Sequence, residues 1–477
     1  MRRPIRNSRF DPMTIIIIGA GPGGYETALA ARRQGLDVIL VESGQVGGTC
    51  LNAGCIPTKA YCRTAEILEE MRHAGAFGIS AGQPTLDFAQ VKRRKDDIVS
   101  GLRSNVETLL ESSGVQLVRG QASFKDHRTV TVCGTDYTAD YIIIAAGSVP
   151  AVPDIPGIGL DGVVDSTALL ELEELPRKLC IIGGGVIGLE FASVFRSFGS
   201  EVTVVEFCRE VLPRYDQDIA KRLRQSLSKR GIVFSLQSAV TSIEEVQETG
   251  LLRVNWEKKG VPGNCEADHV LVAVGRRPDS NRLDTEAAGL VTERGAVVVD
   301  GDMRTNVPHI FAIGDVNGRQ LLAHAATFQG KVALQAIMSD MAGQSPEPVS
   351  GTGLVSSGNG VNGPDVMPSA VFTMPEAASV GYAEEDCKSL GLEYSVHKAF
   401  FRANGKAVCM GETDGLCKIM SSPEGKILGC HVVGPHAADL VQEVSSLMSA
   451  GADMDALRHA VHIHPTLGEV ISAAAES

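Results

Sequence analysis

Apolar residues occur along the chain in short runs separated by glycine-rich turns and amphipathic stretches, and one such pattern occurs twice. Its first copy is the apolar run Ile15–Ile18, the turn Gly19–Gly24 and a helical stretch that ends at about Gln34. A further apolar run, Val38–Val41, ends in Glu42. Short apolar runs bounded by glycine are typical of buried strands in a parallel sheet. This segment therefore predicts a strand, a tight turn, a helix and a second strand.

The second copy has the same order of elements and nearly the same lengths. The apolar run Leu179–Ile182 precedes the turn Gly183–Gly188, and a helical stretch follows to about Phe198. The next apolar run, Val202–Val205, ends in Glu206. The duplication predicts two similar dinucleotide-binding folds in one α/β chain.

The remaining segments carry other signals. Tyr141–Ala145 predicts one more buried strand, and the segment from about 237 to 275 is rich in β-forming residues. Glycine and serine crowd the segment 351–363, which predicts a surface loop or a linker. The C-terminal part has strand patterns first and helix patterns after them, so it predicts a separate α+β domain.

Length and composition narrow the class of protein. A chain of 477 residues is too long for one ordinary core and indicates roughly two to four domains. The net charge of −13 argues against nucleic acid as a partner, and no apolar run approaches the ~18 residues of a membrane helix. Eleven cysteines, mostly scattered singly, fit a reducing compartment better than a disulfide framework. We therefore expect a cytoplasmic protein with no membrane and no nucleic-acid partner.

The N-terminal segment before Asp11 holds four arginines and no acid. A transit peptide has this kind of composition, but the segment is short and lacks an apolar face. A flexible tail or an upstream start is the preferred interpretation.

The chemistry of the repeated unit lies in its glycines and in the acid that follows. Glycines in the pattern GxGxxG let backbone N–H groups approach a pyrophosphate at a helix N-terminus, and the acid binds ribose hydroxyls. Glu42 lies eighteen residues after Gly24, and Glu206 lies eighteen after Gly188. One GxGxxG is weak evidence, but the complete pattern occurring twice predicts two dinucleotide sites. Since an acid repels a 2′-phosphate, Glu206 favours NAD over NADP at the second site, although the nearby Arg209 would soften this preference.

Two cysteines differ from the others in their surroundings. Cys50 and Cys55 lie in the glycine-containing segment Gly47–Lys59. In a regular helix, residues five apart are roughly 7.5 Å apart along the axis, beyond the ~7 Å limit for a disulfide. A bridge therefore needs a distorted backbone, which Gly54 and Pro57 would permit. The alternative is two unrelated buried thiols, but the glycines and the nearby Lys59, which would favour a thiolate, indicate a redox pair.

The segment Gly47–Lys59 resembles the active-disulfide signature of the pyridine nucleotide–disulfide oxidoreductases. Further stretches resemble the dihydrolipoamide dehydrogenases within that family, in the family's order from about Thr14 to the C-terminus. These stretches are Gly183–Glu190, Ala273–Pro278, Thr305–Asp315 and His462–Glu469. The resemblance implies FAD-dependent oxidation of protein-bound dihydrolipoamide to lipoamide, with reduction of NAD⁺ to NADH.

The resemblance also implies the domain organisation. The expected fold class is α/β, with two Rossmann-like dinucleotide-binding domains and a C-terminal α+β dimerisation domain. The expected bounds are a flexible tail at 1–13, an FAD-binding domain at 14–150, an NAD-binding domain at 151–275, a central domain with a second FAD contact at 276–347, a Gly/Ser-rich linker at 348–366 and a dimer-interface domain at 367–477. The linker is longer than in most members of the family, and we interpret it as a surface insertion rather than a docking site.

The family's catalytic residues match positions of this chain. In the family the first cysteine exchanges with the substrate and the second contacts the flavin, which implies these roles for Cys50 and Cys55. Lys59 matches the lysine beside the flavin, and Glu190 matches the acid that pairs with it. Either residue alone would more often be an exposed charge.

The C-terminal motif supplies the expected acid–base group. His464 matches the family's acid–base histidine, and Glu469 matches the carboxylate that orients it. A thiol substrate needs a base to become a nucleophilic thiolate, and imidazole titrates near neutral pH. A lone histidine beside a proline would more often be structural, but the spacing to Glu469 favours the catalytic interpretation. His462 resembles a second family histidine and is left out of the catalytic set.

The resemblance assigns the remaining site residues to the two cofactors, and no metal site is expected. Asp315 matches the acid that hydrogen-bonds the ribityl region of FAD, although an Asp there would also serve as a helix cap. The FAD-binding set is Gly19, Gly21, Gly23, Gly24, Glu42, Gly48, Thr49, Lys59, Ala122, Gly147, Asp315 and Ala323. The NAD-binding set is Gly183, Gly185, Val186, Gly188, Glu206, Val240, Ala273, Gly275 and Arg276.

The expected partners follow from the same resemblance. In the family the histidine reaches the disulfide of the other subunit, which implies a homodimer. The other partner is a lipoyl-bearing protein of a 2-oxo acid dehydrogenase complex or of the glycine cleavage system. The alternatives are a glutathione reductase-like enzyme, disfavoured by Glu206, a mercuric reductase-like enzyme, disfavoured because the last cysteine is Cys430, and a mainly structural flavoprotein subunit.

Overall fold

A computed structural model describes residues 13–344 and 366–477 of the chain. The strands are β1 Thr14–Ile18, β2 Asp37–Glu42, β3 Gln116–Arg119, β4 Ala122–Asp126, β5 Thr129–Val132, β6 Thr135–Thr138, β7 Tyr141–Ile144, β8 Ser148–Pro150, β9 Val163–Val164, β10 Lys178–Ile182, β11 Glu201–Glu206, β12 Val233–Leu236, β13 Ala239–Val246, β14 Leu251–Lys258, β15 Val261–Ala267, β16 His269–Val272, β17 Arg276–Pro278, β18 Thr292–Glu293, β19 Ala296–Val297, β20 Ile310–Ala312, β21 Ser369–Val371, β22 Glu376–Gly381, β23 Ser395–Phe400, β24 Leu416–Ser421 and β25 Ile427–Gly434. The helices are α1 Pro22–Arg33, α2 Gly48–Ala53, α3 Cys55–His73, α4 Phe88–Ser112, α5 Ser166–Leu170, α6 Val186–Phe198, α7 Gln217–Lys229, α8 Ala323–Met341, α9 Glu384–Ser389, α10 Gly405–Met410, α11 Ala437–Ser449, α12 Met454–His459 and α13 Glu469–Ala475.

The described residues divide into two compact units, of which the first comprises 13–57, 96–149 and 276–344. Its main sheet has the strand order β20-β7-β1-β2-β3, and all four neighbouring pairs are parallel. Residues Ile15–Ile18 of β1 are at most 4% exposed. Alternate residues of β1 pack against α1 and α8 on one face and against the antiparallel sheet β4-β5-β6 on the other. Burial on both faces explains why this run is continuously apolar.

The second unit comprises 58–95, 150–275 and 366–477 and contains a sheet of the same design. Its strand order is β12-β11-β10-β16-β9. Leu179 and Ile181 of β10 pack against α6 and α7, whereas Cys180 and Ile182 pack against the antiparallel sheet β13-β14-β15. The two sheets and their covering layers therefore repeat, which confirms the predicted pair of Rossmann-like folds.

The C-terminal part of the second unit is an antiparallel sheet with helices packed against it. The strand order is β21-β22-β25-β24-β23, and α11 and α13 cover one face. This confirms the predicted α+β architecture. The exact domain bounds remain a prediction, and the predicted tail and linker lie outside the described residues apart from Met13 and Val366. In the part of the chain that the structure describes, no helix has both the length and the apolar character that crossing a membrane requires.

A buried lysine ties together three elements of the second unit. The Lys418 side chain on β24 is 1% exposed, and its Nζ lies 2.8 Å from Asp216 and 2.6 Å from Glu384. Asp216 is fully buried and caps α7 by accepting a hydrogen bond from Asp218 N. Burial lowers the pKa of Lys418, but its ion pairs outweigh burial and raise the pKa above its usual range. Hydrogen bonds from Lys388 and then Lys418 lower the pKa of Glu384 to about 2.

Replacing Lys418 with methionine is expected to lower the free energy of unfolding by about 3–5 kcal/mol, because the charge of Asp216 would stay buried without its partner. Denaturant unfolding measures the loss. Lys398→Met is the control, because Lys398 is a half-exposed partner of Asp218 and such pairs contribute less than ~1 kcal/mol. Equal unfolding midpoints for the two variants would contradict the prediction.

The stability of this cluster also depends on pH. Since the folded pKa of Glu384 is depressed, its contribution to the free energy of unfolding is present above about pH 4.5 and is lost as the pH falls toward 2.

Candidate active site

The first glycine-rich turn has a backbone that only glycine allows. Gly19 has φ +105°, and a Cβ there would lie 2.3 Å from Ala145 O. A Cβ on Gly24 would lie 1.8 Å from Gly19 O. Helix α1 begins at Pro22, and its N-cap residue Gly21 offers no capping side chain. The first backbone N–H groups of α1 are therefore available to an anionic group such as a pyrophosphate.

Two further segments approach this turn closely. A Cβ on Gly48 would lie 2.7 Å from Gly21 Cα, and a Cβ on Gly23 would lie 3.0 Å from Ala326 Cβ on α8. Ala323 is the first residue of α8, whose N-cap also lacks a side-chain hydrogen bond. The turn, the start of α2 and the first turn of α8 thus lie close together, and this cradle of small residues fits the pyrophosphate of FAD.

Glu42 closes the cradle through two backbone hydrogen bonds. Its Oε2 accepts from Ala20 N at 2.6 Å and its Oε1 accepts from Gly44 N at 2.7 Å. Each carboxylate oxygen has a second lone pair, so the same side chain is able to bind ribose hydroxyls. Gly120 N donates to Glu42 O at 2.9 Å, which places the predicted FAD residue Ala122 just beyond this strand end.

The second turn repeats this geometry. A Cβ on Gly183 would lie 2.5 Å from Ala273 O, and one on Gly188 would lie 2.1 Å from Gly183 O. Glu206 Oε2 accepts from Gly184 N at 2.5 Å, and its Oε1 accepts from Cys208 N at 2.6 Å. Helix α6 begins at Val186 after the uncapped Gly185, and Ser238 N donates to Glu206 O near the predicted residue Val240. The predicted NAD residues on this turn and beside β11 therefore form a second cradle, which fits NAD.

The cysteine pair lies at a break between two helices in the first unit. Cys50 is half-buried in α2, Gly54 has φ −144° and ψ −108°, and the exposed Cys55 begins α3. A Cβ on Gly54 would lie 2.9 Å from Thr49 O, so a larger residue would disturb the break. The predicted backbone distortion between the two cysteines is therefore present.

Hydrogen bonds that the sequence did not indicate support this segment through Asn52 of α2 and Arg103 of α4. Asn52 Nδ2 donates to Val46 O and Gly48 O at 3.0 and 2.9 Å, and Arg103 Nε donates to Asn52 Oδ1 at 2.8 Å. These bonds hold the start of α2, which carries Cys50. Nothing in the spacing of Arg103, which lies 51 residues from Asn52, signals this contact.

Lys59 and Glu190 form a close pair in the second unit. Lys59 Nζ lies 2.8 and 2.9 Å from the two carboxylate oxygens of Glu190, which is 5% exposed. Glu190 also accepts a hydrogen bond from Phe372 N at 3.0 Å, and the Lys59 ammonium lies 4.4 Å from the centre of the Phe372 ring. The carboxylate and the ring fix the position of this ammonium group. The structure brings together the two predicted residues and adds Phe372, which the sequence did not indicate.

His464 and Glu469 form a second close pair in the same unit. His464 Nδ1 lies 2.9 Å from Glu469 Oε1, and Thr466 N donates to Glu469 Oε2 at 2.9 Å. The hydrogen bond with His464, followed by that from Thr466, lowers the pKa of Glu469. The side chain of His464 is 81% exposed within the single chain. A carboxylate at Nδ1 favours the tautomer with hydrogen on Nδ1, which leaves Nε2 free to act as a base.

The loop that carries His464 is held by two further residues. His462 Nε2 lies 2.8 Å from Glu443 on α11, and Asn404 Nδ2 donates to Thr466 O at 3.0 Å. His462 therefore has a partner on α11, and its place outside the catalytic set stays a prediction. Asn404 lies 62 residues from Thr466, and no local pattern indicates the contact.

Two dinucleotide cradles, a cysteine pair on a broken helix and a histidine–carboxylate pair define a flavin- and nicotinamide-dependent disulfide oxidoreductase. A family model described as pyridine nucleotide-disulphide oxidoreductase matches residues 13–330, and the dimerisation domain of that family matches 367–475. The chain belongs to the pyridine nucleotide-disulphide oxidoreductase family. The protein is accordingly an NAD-dependent flavoprotein oxidoreductase that uses FAD and NAD(H), and the dimerisation domain supports a homodimer.

Relatives and solved structures agree with this class. Dihydrolipoyl dehydrogenase of Geobacillus stearothermophilus is 38% identical over 468 residues, with 97% of this chain and 95% of the relative covered. Dihydrolipoyl dehydrogenase of Chlamydia muridarum is 39% identical over 472 residues, with 97% and 96% covered. The HOCl-induced flavoprotein disulfide reductase RclA of Escherichia coli is similar in structure, with a TM-score of 0.83 and 30% identity over 97% of this chain and 99% of that chain.

Proposed function

We propose that the protein oxidises protein-bound dihydrolipoamide to lipoamide and reduces NAD⁺ to NADH, with Cys50 and Cys55 as its redox disulfide. The observation that carries the proposal is the 2.9 Å contact between His464 and Glu469. A dithiol substrate must lose a proton before it attacks a disulfide, and this pair presents an imidazole oriented for that task. The relatives named dihydrolipoyl dehydrogenase support the same substrate.

The residues of the chain carry the thiol chemistry. His464 Nε2 accepts a proton from one substrate thiol, and Glu469 stabilises the resulting imidazolium. The substrate thiolate attacks Cys50 Sγ, the bond between Cys50 and Cys55 breaks, and Cys55 leaves as a thiolate. The second substrate thiol then attacks the substrate sulfur bonded to Cys50, its proton passes to the departing Cys50 sulfur, and the cyclic disulfide of lipoamide closes. The substrate loses two electrons and the cysteine pair gains them.

The two dinucleotide cradles would hold the cofactors for these electrons. When bound, FAD would supply the chemistry that takes two electrons from the reduced cysteine pair and delivers them to NAD⁺ as a hydride. The cradle at Gly19–Gly24 would hold FAD, and the Lys59 ammonium would favour negative charge near the flavin. The cradle at Gly183–Gly188 would hold NAD⁺, and the buried Glu206 would disfavour a 2′-phosphate.

The same proposal covers partners and location. In a homodimer, His464 of one subunit would serve the cysteine pair of the other. The lipoyl group would belong to a 2-oxo acid dehydrogenase complex or to the glycine cleavage system. A cytoplasmic location fits the buried free thiols, which include Cys62, Cys180, Cys417 and Cys430.

An anaerobic titration of the purified holoenzyme tests the function. Dihydrolipoamide is added while the visible spectrum is recorded, and NAD⁺ is then added. A long-wavelength charge-transfer band that disappears as NADH forms supports the proposal. The second candidate is a reductase of another disulfide, which the likeness to RclA favours. Flavin that dihydrolipoamide leaves oxidised, but that NADH or NADPH reduces, would refute the lipoamide assignment and support this candidate.

A further inference from the structure

A chain of hydrogen bonds in the first unit ends on Asp315. Arg276 Nε donates to Ser148 Oγ at 2.7 Å, and Arg276 Nη2 donates to Ser148 O at 2.5 Å. Ser148 Oγ donates to Asp315 Oδ2 at 2.5 Å. Because a guanidinium only donates, the Ser148 hydroxyl accepts from Arg276 and directs its single proton to the carboxylate. The donor and the acceptor of each hydrogen bond between Arg276, Ser148 and Asp315 are therefore fixed.

The three residues come from separate parts of the sequence. Ser148 begins β8 and Arg276 begins β17, and these two strands pair with each other. Asp315 lies in the short 3₁₀ helix Gly314–Asn317, which Gln329 of α8 holds by accepting a hydrogen bond from Gly314 N at 2.7 Å. Asp315 is thus near the end of the helix that contributes Ala323 to the FAD cradle.

Because burial disfavours the charged form of Asp315, its protonation state depends on the hydrogen bonds that lead to its carboxylate. Burial raises the pKa of Asp315, whereas the hydrogen bond from Ser148 and the charge of Arg276 lower it. Hydrogen bonds to a buried charged group are stronger than those between neutral groups, and a buried carboxylate without donors is costly. Removing the Ser148 hydroxyl or the Arg276 guanidinium would leave the Asp315 carboxylate less firmly oriented and easier to protonate.

We propose that Arg276 and Ser148 are positioning residues of the FAD site, which hold the Asp315 carboxylate in the orientation that receives the cofactor. This inference rests on the proposed role of Asp315 in binding FAD. It changes the expected role of Arg276, which the sequence resemblance assigned to NAD. The side-chain hydrogen bonds of Arg276 described above lead to Ser148 and Asp315 within the unit that contains the FAD cradle.

The experiment compares Ser148→Ala and Arg276→Met holoenzymes with the wild type. FAD release is followed by flavin fluorescence on dilution, and the flavin midpoint potential and the KM for NAD⁺ are measured beside it. We expect both variants to bind FAD about tenfold more weakly or worse and to shift the potential, with the KM for NAD⁺ within about twofold of the wild type. Arg277→Met is the matched control, because Arg277 is an exposed neighbour on the same strand, and it should change none of the three.

Three further variants distinguish the ways in which the inference could fail. Ser148→Thr retains a hydroxyl and should restore FAD affinity, which a merely structural defect would not allow. The double variant should weaken FAD binding no more than the stronger single variant, because both changes break the same chain of bonds. A raised KM for NAD⁺ in Arg276→Met with normal FAD affinity would overturn the inference and restore Arg276 to the NAD site. If Asp315→Asn also binds FAD normally, the proposed role of Asp315 itself is wrong, whereas weak binding in Asp315→Asn alone refutes only the positioning role.

Discussion

Replacing Cys50 with serine is expected to reduce the rate of dihydrolipoamide-dependent NAD⁺ reduction by at least about a thousandfold. Removing one residue of a catalytic unit costs about as much activity as removing all of them. Oxygen cannot replace sulfur in the exchange, so no mixed disulfide forms with the substrate. Cys50 is half-buried in the short helix α2 and close in size to serine, so the fold should be unchanged. Steady-state turnover under anaerobic conditions measures the loss, and the flavin spectrum verifies that FAD is still bound.

Cys62→Ser is the matched control for this variant. Cys62 lies on the following helix, α3, where it is buried and its Sγ donates to Phe372 O at 3.4 Å. Burial, followed by the charge of Glu190, raises the pKa of the Cys62 thiol, so it is not a nucleophile near neutral pH. Serine retains the donor, and turnover should stay within a few-fold of the wild type. Substantial turnover in Cys50→Ser would show that another group exchanges with the substrate.

The parts of the fold that the sequence predicted are those in which interacting residues lie near one another along the chain. The clash that requires glycine at Gly24 is with Gly19, five residues earlier, and Gly188 meets Gly183 in the same way. Such local constraints produce a recognisable sequence motif, and this motif occurs twice in the chain. The bounds of β1 and β2 and the end of α1 accordingly agree with the predicted segments to within a residue or so, whereas α1 begins at Pro22, inside the predicted turn.

Contacts between distant segments leave no such pattern. Phe372 N donates a hydrogen bond to Glu190, which lies 182 residues earlier in the chain. Asn404, which lies outside the terminal motif, donates a hydrogen bond to Thr466 in the loop that carries His464. Lys418 would by its residue type be expected at the surface, yet its side chain is almost fully buried among acids from α7 and α9. Only the packing of whole elements determines these positions, so one sequence without its structure could not indicate them.

Glutamine in place of His464 is expected to lower dihydrolipoamide-dependent NAD⁺ reduction by about 10²–10⁴-fold, the usual contribution of a positioned acid–base group. The amide cannot accept the substrate proton, although it keeps a hydrogen-bonding partner for Glu469. Oxidation of NADH with an artificial electron acceptor should be almost unchanged, because that reaction needs no thiol deprotonation. His459→Gln is the control, since His459 is exposed on α12 and its Nδ1 lies 2.7 Å from Asp455 O of the same helix.

Co-expression of the Cys50→Ser and His464→Gln chains tests whether the two residues act across the dimer. Each homodimer should be inactive with dihydrolipoamide. A mixed dimer has one site with an intact Cys50 from one subunit and an intact His464 from the other, if the histidine serves the partner. Random pairing should then restore about a quarter of wild-type turnover. If His464 serves Cys50 of its own chain, no site in the mixed dimer is intact and the activity stays at the level of the single variants. Restored activity would therefore show that catalysis requires the dimer. Activity that stays at the level of the single variants would show that the thiol chemistry takes place within one chain.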